Sequence, residues 1–234
     1  MKKENMIVNL TLTLVLCLFT LSGFAQDSTS VDNLAKSAVE HLGGEKFINA
    51  TTTVSRGSAD ITAFGQVIPA AYSIVISGDK YRLEIDNPFQ PFKQAFDGTN
   101  TTSSIPGMAQ FPPISKLGFP LLRHIGEKDY SVSALENGNT NGFRITSPEG
   151  YFTEFIMDLK NNEIKSYNAS YVVDGRDVTT SVEIKKYEEV EGVLLPSKYD
   201  QRFDMGSMTI YASYKTKELL VNPKLDDAVF SVSQ

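Results

Sequence analysis

From residue 51 to residue 230 the apolar side chains recur at every second position, in short runs broken by turn residues, and this alternation is the strongest limit on the fold. Successive side chains of a strand point to opposite faces, so alternation marks a sheet with one face buried and one wet. Ile68, Ala70, Tyr72, Ile74 and Ile76 share one strand face, with Pro69 hinting at an edge or bulge near the start. Across Gly78 and Asp79, Tyr81, Leu83 and Ile85 alternate with Lys80, Arg82, Glu84 and Asp86, which predicts an antiparallel hairpin. Further strands are expected over 53–64, 92–96, 99–105, 130–135, 143–146, 151–159, 163–173 and 178–187. Asp174 and Gly175 form the plainest two-residue hairpin signal. A closing meander over 187–230 turns at Gly192, stops pairing at Asn222 and Pro223, and leaves Phe230 as an apolar anchor. Its Pro196 has no N–H to give a ladder and is expected at an edge or entry position. The count is about eleven strands at short spacing, which predicts a mainly β, single-domain chain built as one sandwich or one curved, barrel-like sheet.

Two stretches break the period. Val31, Leu34, Ala35, Ala38, Val39 and Leu42 fall on one face of a helix that Ser30 would cap and Gly43 and Gly44 would end. A single apolar stripe of that kind needs a sheet to lie on. Residues 105–128 contain four prolines and a crowd of apolar side chains but no strand period, so only a helical turn or two is expected, around 115–124. A loop this apolar does not run over a wet surface, so it must fold onto something.

The first 25 residues read as a signal peptide: Lys2 and Lys3, an apolar run over 6–21, then Gly23 and Ala25 in a small-x-small pattern. The run is short for a membrane span, so the product is expected to be periplasmic, with no membrane segment after cleavage. Cleavage would leave residues 26–234 as one domain without the only cysteine, Cys17, and hence without a disulfide. The net charge of −6 argues against nucleic acid or anionic lipid surfaces as partners. His41 and His124 are the only histidines, too few for a zinc site, and no nucleophile or phosphate-binding motif occurs. The acids at Glu188, Glu189 and Glu191, and at Asp226 and Asp227, sit in turn-like segments and read as solvated. The chain is therefore expected to be neither an enzyme nor a metalloprotein, and no cofactor is implied.

An apolar ligand is the better expectation. Tyr72, Ile74 and Ile76, Tyr81, Leu83 and Ile85, together with Phe96, would line one concave surface. Met108, Phe111, Leu117, Phe119, Leu121 and Leu122 of the loop would cover it. The alternative, that helix and loop simply fill the curve as core, stays open at this point.

Several short motifs carry a resemblance: residues 41–47 (HLGGEKF), 78–82 (GDKYR), 96–98 (FDG), 191–196 (EGVLLP) and 221–230 (VNPKLDDAVF). In this order, over roughly residues 31–232, the chain resembles the LolA/LolB-like superfamily of outer-membrane lipoprotein-sorting proteins, as a divergent envelope member. The resemblance implies an incomplete, strongly curved antiparallel β-barrel plugged by an N-terminal helix and a short helical loop. It also implies an exported, non-catalytic carrier of lipoprotein acyl chains or another lipid, with an envelope protein as a further possible partner. The alternative function is an interaction or sensor domain of the envelope with a filled hollow. By position, the strand faces of 72–96 and the loop over 105–122 would hold the ligand, and the closing meander would serve as the wall that fixes their curvature. Where the family has Phe-x-x-Pro at its end, this chain has Phe230 followed by Ser231, Val232 and Ser233, so the likeness reaches further for the fold than for the cargo.

Overall fold

Strands joined by tight turns pair with their sequence neighbours, because a hairpin is the shortest antiparallel connection. The computed structural model describes residues 25–63, 65–105, 114–173, 176–205 and 208–231, and its strands follow that rule with one exception. The strands are β1 (Thr52–Ala63), β2 (Gln66–Ser77), β3 (Lys80–Asp86), β4 (Phe92–Phe96), β5 (Thr101–Ser103), β6 (Ser131–Ser133), β7 (Gly142–Thr146), β8 (Phe152–Asp158), β9 (Glu163–Val173), β10 (Arg176–Val190), β11 (Val193–Met205) and β12 (Met208–Val221). They form one antiparallel sheet of order β5-β4-β3-β2-β1-β12-β11-β10-β9-β8-β7-β6. The exception is β1 with β12, which joins the first five strands to the last seven. Twelve strands appear where about eleven were expected. The three-residue strands β5 and β6 are the free edges, so the sheet curves without closing into a barrel.

Both prolines within strands sit where a ladder is one-sided. Pro69 pairs with Asp60 of β1, but β2 meets β3 only from Ala71 onward. Pro196 lies in the interior strand β11, opposite Tyr187 and beside a register shift at Lys186, while the β11–β12 ladder begins at Lys198. Of the edge or entry position expected for Pro196, the structure gives the entry: β11 is internal, but this first stretch of it lacks a partner on its second side.

The first helix, α1 (Ala25–Leu42), runs through Ser30, where a cap was expected; residues 1–24 of the expected leader lie outside the described residues. Its stripe does what its spacing requires. Ala35, Ala38, Val39 and Leu42 are buried against Phe143, Ile145, Phe155, Met157, Ile164, Val182, Ile184 and Leu195, so α1 fills the concave face over β7–β11. Gly43 (φ 124°) ends it, and a Cβ there would lie 2.4 Å from the Gly192 carbonyl oxygen. That close approach seats the helix end on the β10–β11 turn, whose Glu191 and Gly192 both have positive φ, as a two-residue hairpin of this hand needs. A one-turn helix, α2 (Glu45–Ile48), follows and buries Phe47.

The outer face of β1–β3 is strapped by the C-terminus. Phe230 packs on Val54 and Val75, and Arg82 Nη1 donates to the carbonyl oxygens of Val229 (2.8 Å) and Ser231 (2.7 Å).

The connection from β5 to β6 links the two free edges and therefore has to cross the open side. Its described part holds a 3-10 turn (Ile114–Lys116) and α3 (Phe119–Leu122), the short helical turns expected between prolines. This plug is tied to both halves of the sheet. Ser115 Oγ donates to the Asp79 carbonyl in the β2–β3 turn at 2.7 Å, Lys116 pairs with Glu149 of the β7–β8 turn, and the Gly118 N–H donates to Thr153 Oγ1 of β8 at 3.0 Å.

Candidate ligand cavity

α1 packs closely on the part of the concave face that it covers; where only the plug covers it, space remains. A half-enclosed cavity of about 200 Å³ lies between the plug and the concave face of β1–β3 and β9–β12. One wall is built by Ile74, Ile76 and Leu83, with Thr53 and Ser55 beside them on β1. Register explains this grouping: Ile74 pairs with Ser55 and Leu83, and Ile76 with Thr53, so all point to the same side. The facing wall takes Tyr167 and Tyr171 from β9, Thr180 and Val182 from β10, and Leu195, Tyr199, Gln201 and Phe203 from β11. Tyr214 and Leu219 of β12 complete the floor, and Ile114, Leu117, Phe119, Pro120 and Arg123 of the plug form the cover.

Gly118 sets the height of that cover. Its φ of 64° suits glycine, and a Cβ would stand 2.9 Å from the Tyr167 ring, so only glycine lets the plug settle onto β9. Phe119 then meets Phe155, Tyr167 and Tyr187 edge-on at centroid separations of 6.4, 6.0 and 6.2 Å.

The tyrosines of the floor form a small aromatic stack. Tyr199 lies flat on Tyr214 at 4.6 Å, and Tyr72 meets Tyr214 edge-on at 5.0 Å. The Tyr72 hydroxyl shares hydrogen bonds with Ser55 Oγ (3.0 Å) and Thr216 Oγ1 (2.6 Å). Burial pushes the Tyr167, Tyr199 and Tyr214 phenols well above their usual range, which keeps them uncharged at neutral pH. Gln201 Nε2 donates to Thr180 Oγ1 at 2.9 Å, so this polar pair in the wall satisfies itself. Burial likewise pulls Arg123 down to about 10, which leaves it protonated at neutral pH. Among the described residues no group of three or more histidine, cysteine or acidic side chains is placed to hold a metal.

Of the side chains expected at a ligand surface, Ile74, Ile76, Leu83, Leu117 and Phe119 line this cavity. Tyr72 and Ile85 lie next to it in the cluster with Ala59 and Tyr214. The others are placed elsewhere. Tyr81 is buried against Phe96 (6.1 Å, rings stacked) with its hydroxyl on Gln94, nearer the β5 edge. Leu121 and Leu122 face the core under α1, because one turn of α3 cannot present all its apolar residues to one side. Met108 and Phe111 lie outside the described residues.

The closing meander is more than a supporting wall: β11 and β12 supply Leu195, Pro196, Tyr199, Gln201, Phe203, Tyr214 and Leu219. The signal was present in the spacing of Tyr199, Gln201 and Phe203, three alternate positions of one strand face. What the spacing lacked was the partner: β1 pairs with β12, which brings the two ends of the chain to the same cavity. Arg123 carried no sequence signal at all.

No protein-family model matches the sequence, and no curated protein does either. Among solved structures the chain is similar to a LolA superfamily protein from Nitrosomonas europaea, with 13% identity, a TM-score of 0.52, and coverage of 83% of this chain and 97% of that one. Looser similarity links it to a DUF1329 family protein from Desulfovibrio piger (14% identity, TM-score 0.45, 86% and 97% covered). A putative outer membrane lipoprotein-sorting protein domain from Vibrio parahaemolyticus is looser still (9% identity, TM-score 0.42, 87% and 97% covered).

Proposed function

We propose that this chain, a divergent protein of LolA-like fold, is an exported, non-catalytic binder or carrier of a lipid or acyl chain in the bacterial envelope. The observation that supports this most is the half-enclosed apolar cavity between the curved sheet and the plug. Ligand pockets of this kind are mostly apolar, with few polar groups to orient the guest. Its volume exceeds the roughly 150 Å³ at which a dry apolar cavity already accepts a benzene-sized guest. Each methylene buried contributes about 0.8 kcal/mol before the costs of association, so a segment of one acyl chain suffices for useful affinity. The apolar run over 6–21 with its small-x-small end supports export to the periplasm, and no helix among the described residues is long and apolar enough to cross a membrane.

The test is native mass spectrometry of protein purified from its own envelope, with titration of an environment-sensitive apolar dye alongside. A co-purifying lipid and saturable dye binding, displaced by an alkyl chain, are expected. Failure of both would leave the fold as an interaction or sensor domain.

A further inference from the structure

Arg123 is the one charged side chain among the described residues that line the cavity. The remaining wall is aliphatic, aromatic or neutral and polar, in a chain that otherwise carries an excess of acid, with a net charge of −6. Yet among the described residues no carboxylate pairs with Arg123. Its Nε is buried without a hydrogen-bond partner, and the guanidinium carbon stands 5.8 Å from the centre of the Phe47 ring. Its setting differs from that of the other partly buried arginines. Arg82 bonds Glu84 and the carbonyl oxygens of Val229 and Ser231, and Arg144 is forked between Glu136 and Glu154.

A partly buried cation with an unpaired Nε is costly, and a guanidinium offers a rigid fork of donors matched to carboxylate or phosphate oxygens. The Phe47 ring lies near the group, and the Arg123 side chain itself lines the cavity. The geometry points to an amphiphilic ligand: its alkyl chain lies among Ile74, Ile76, Leu83 and Phe119, and its anionic head, a carboxylate or phosphate, is met by Arg123. This inference rests on the ligand-binding reading above and narrows its ligand to singly headed anionic amphiphiles. It also assigns the plug a second task, because the same short segment that covers the cavity carries the group that selects the head. Retention of an anionic amphiphile would then depend on the plug being seated, since Arg123 follows α3 directly.

The experiment is displacement of a neutral apolar dye from the full chain at neutral pH by dodecanoate, dodecyl phosphate and methyl dodecanoate, with wild type and Arg123→Met. In the wild type at least one of the two anions is expected to bind about tenfold or more tighter than the ester, the range of a charge-assisted hydrogen bond, and to weaken as salt rises. The tighter of the two anions names the head group. In Arg123→Met that preference is expected to vanish, with the anions and the ester displacing the dye at similar concentrations. Equal binding of anions and ester by the wild type overturns the inference and leaves the ligand-binding reading intact. So does a preference that survives Arg123→Met. If none of the three displaces the dye, the ligand-binding reading fails and takes this one with it. Should Arg123→Met fail to fold, the wild-type comparison of anion with ester, with its salt dependence, decides alone.

Discussion

The two halves of the sheet differ in what covers them. Over β7–β11 lies α1, a helix whose stripe of alanine, valine and leucine interlocks with Phe143, Ile145, Phe155 and Ile164, all four fully buried. Over β1–β3, β12 and the stretches of β9–β11 that α1 leaves uncovered lies only a plug broken by prolines and Gly118, and the concave face there keeps a cavity of about 200 Å³. Interdigitation needs a regular row of knobs, which a helix provides along its whole length and a one-turn helix does not. One sheet thus builds a packed half and a receptive half, and the difference comes from the covering segment rather than from the strands.

Substitutions can break that comparison. The largest effect is expected at Phe143, fully buried under α1: Phe143→Ala should cost about 3–5 kcal/mol in urea unfolding, as large cavities in closed cores do. Leu83→Ala, at the cavity wall, should cost about 2 kcal/mol or less, because that side chain already lacks neighbours on one side. The same variant should alter dye affinity, which Phe143→Ala should not do beyond its loss of folded protein. Equal unfolding costs at the two positions would mean that the two halves are packed alike.

Gly118→Ala should come next, at about 1–2 kcal/mol, since it places a Cβ against the Tyr167 ring at a φ that disfavours alanine. Dye binding should weaken with it, because the cover can no longer settle; a variant of unchanged stability and affinity would show that the plug height is not set here.

The smallest effect concerns acid. A hydrogen bond from Lys116 holds the Glu149 carboxyl at about 2, below its ordinary value. A lowered folded-state pKa means that this tie contributes fully above the usual carboxylate range and is lost as pH falls through about 2. Glu149 is nearly half exposed, so the contribution is small and screened. Tyrosine fluorescence during acid titration should show the plug signal shifting in that window, and Glu149→Gln should flatten it.

Much of the fold was legible because its determinants are local. Alternation at 80–86 and 68–76 predicted the β2–β3 hairpin to within a residue or two, and Tyr72, Ile74 and Ile76 do share the concave face with Leu83 and Ile85. The stripe on α1 predicted a helix against a sheet, and the proline-rich stretch after β5 predicted a cover. The site was legible only by half. Leu121 and Leu122 look no different in sequence from Leu117, yet they turn into the core while Leu117 lines the cavity. Which side of a single helical turn faces the cavity depends on how Gly118 seats it, and that involves Tyr167, nearly fifty residues away in sequence.

By itself, the sequence of this protein determined period, turns and the one helix that needs a sheet, because these follow from the backbone geometry of neighbouring residues. Only the tertiary structure decided that β1 would pair with β12. That long-range pairing brings Tyr199, Tyr214 and Leu219 round to face the plug. It also decided that Arg123 would end beside an apolar void with its Nε unpaired. The physical reason is the same in both cases. Strand pairing across the whole chain, and the burial of a single charge, are set by contacts between residues far apart in sequence, and no local pattern encodes them.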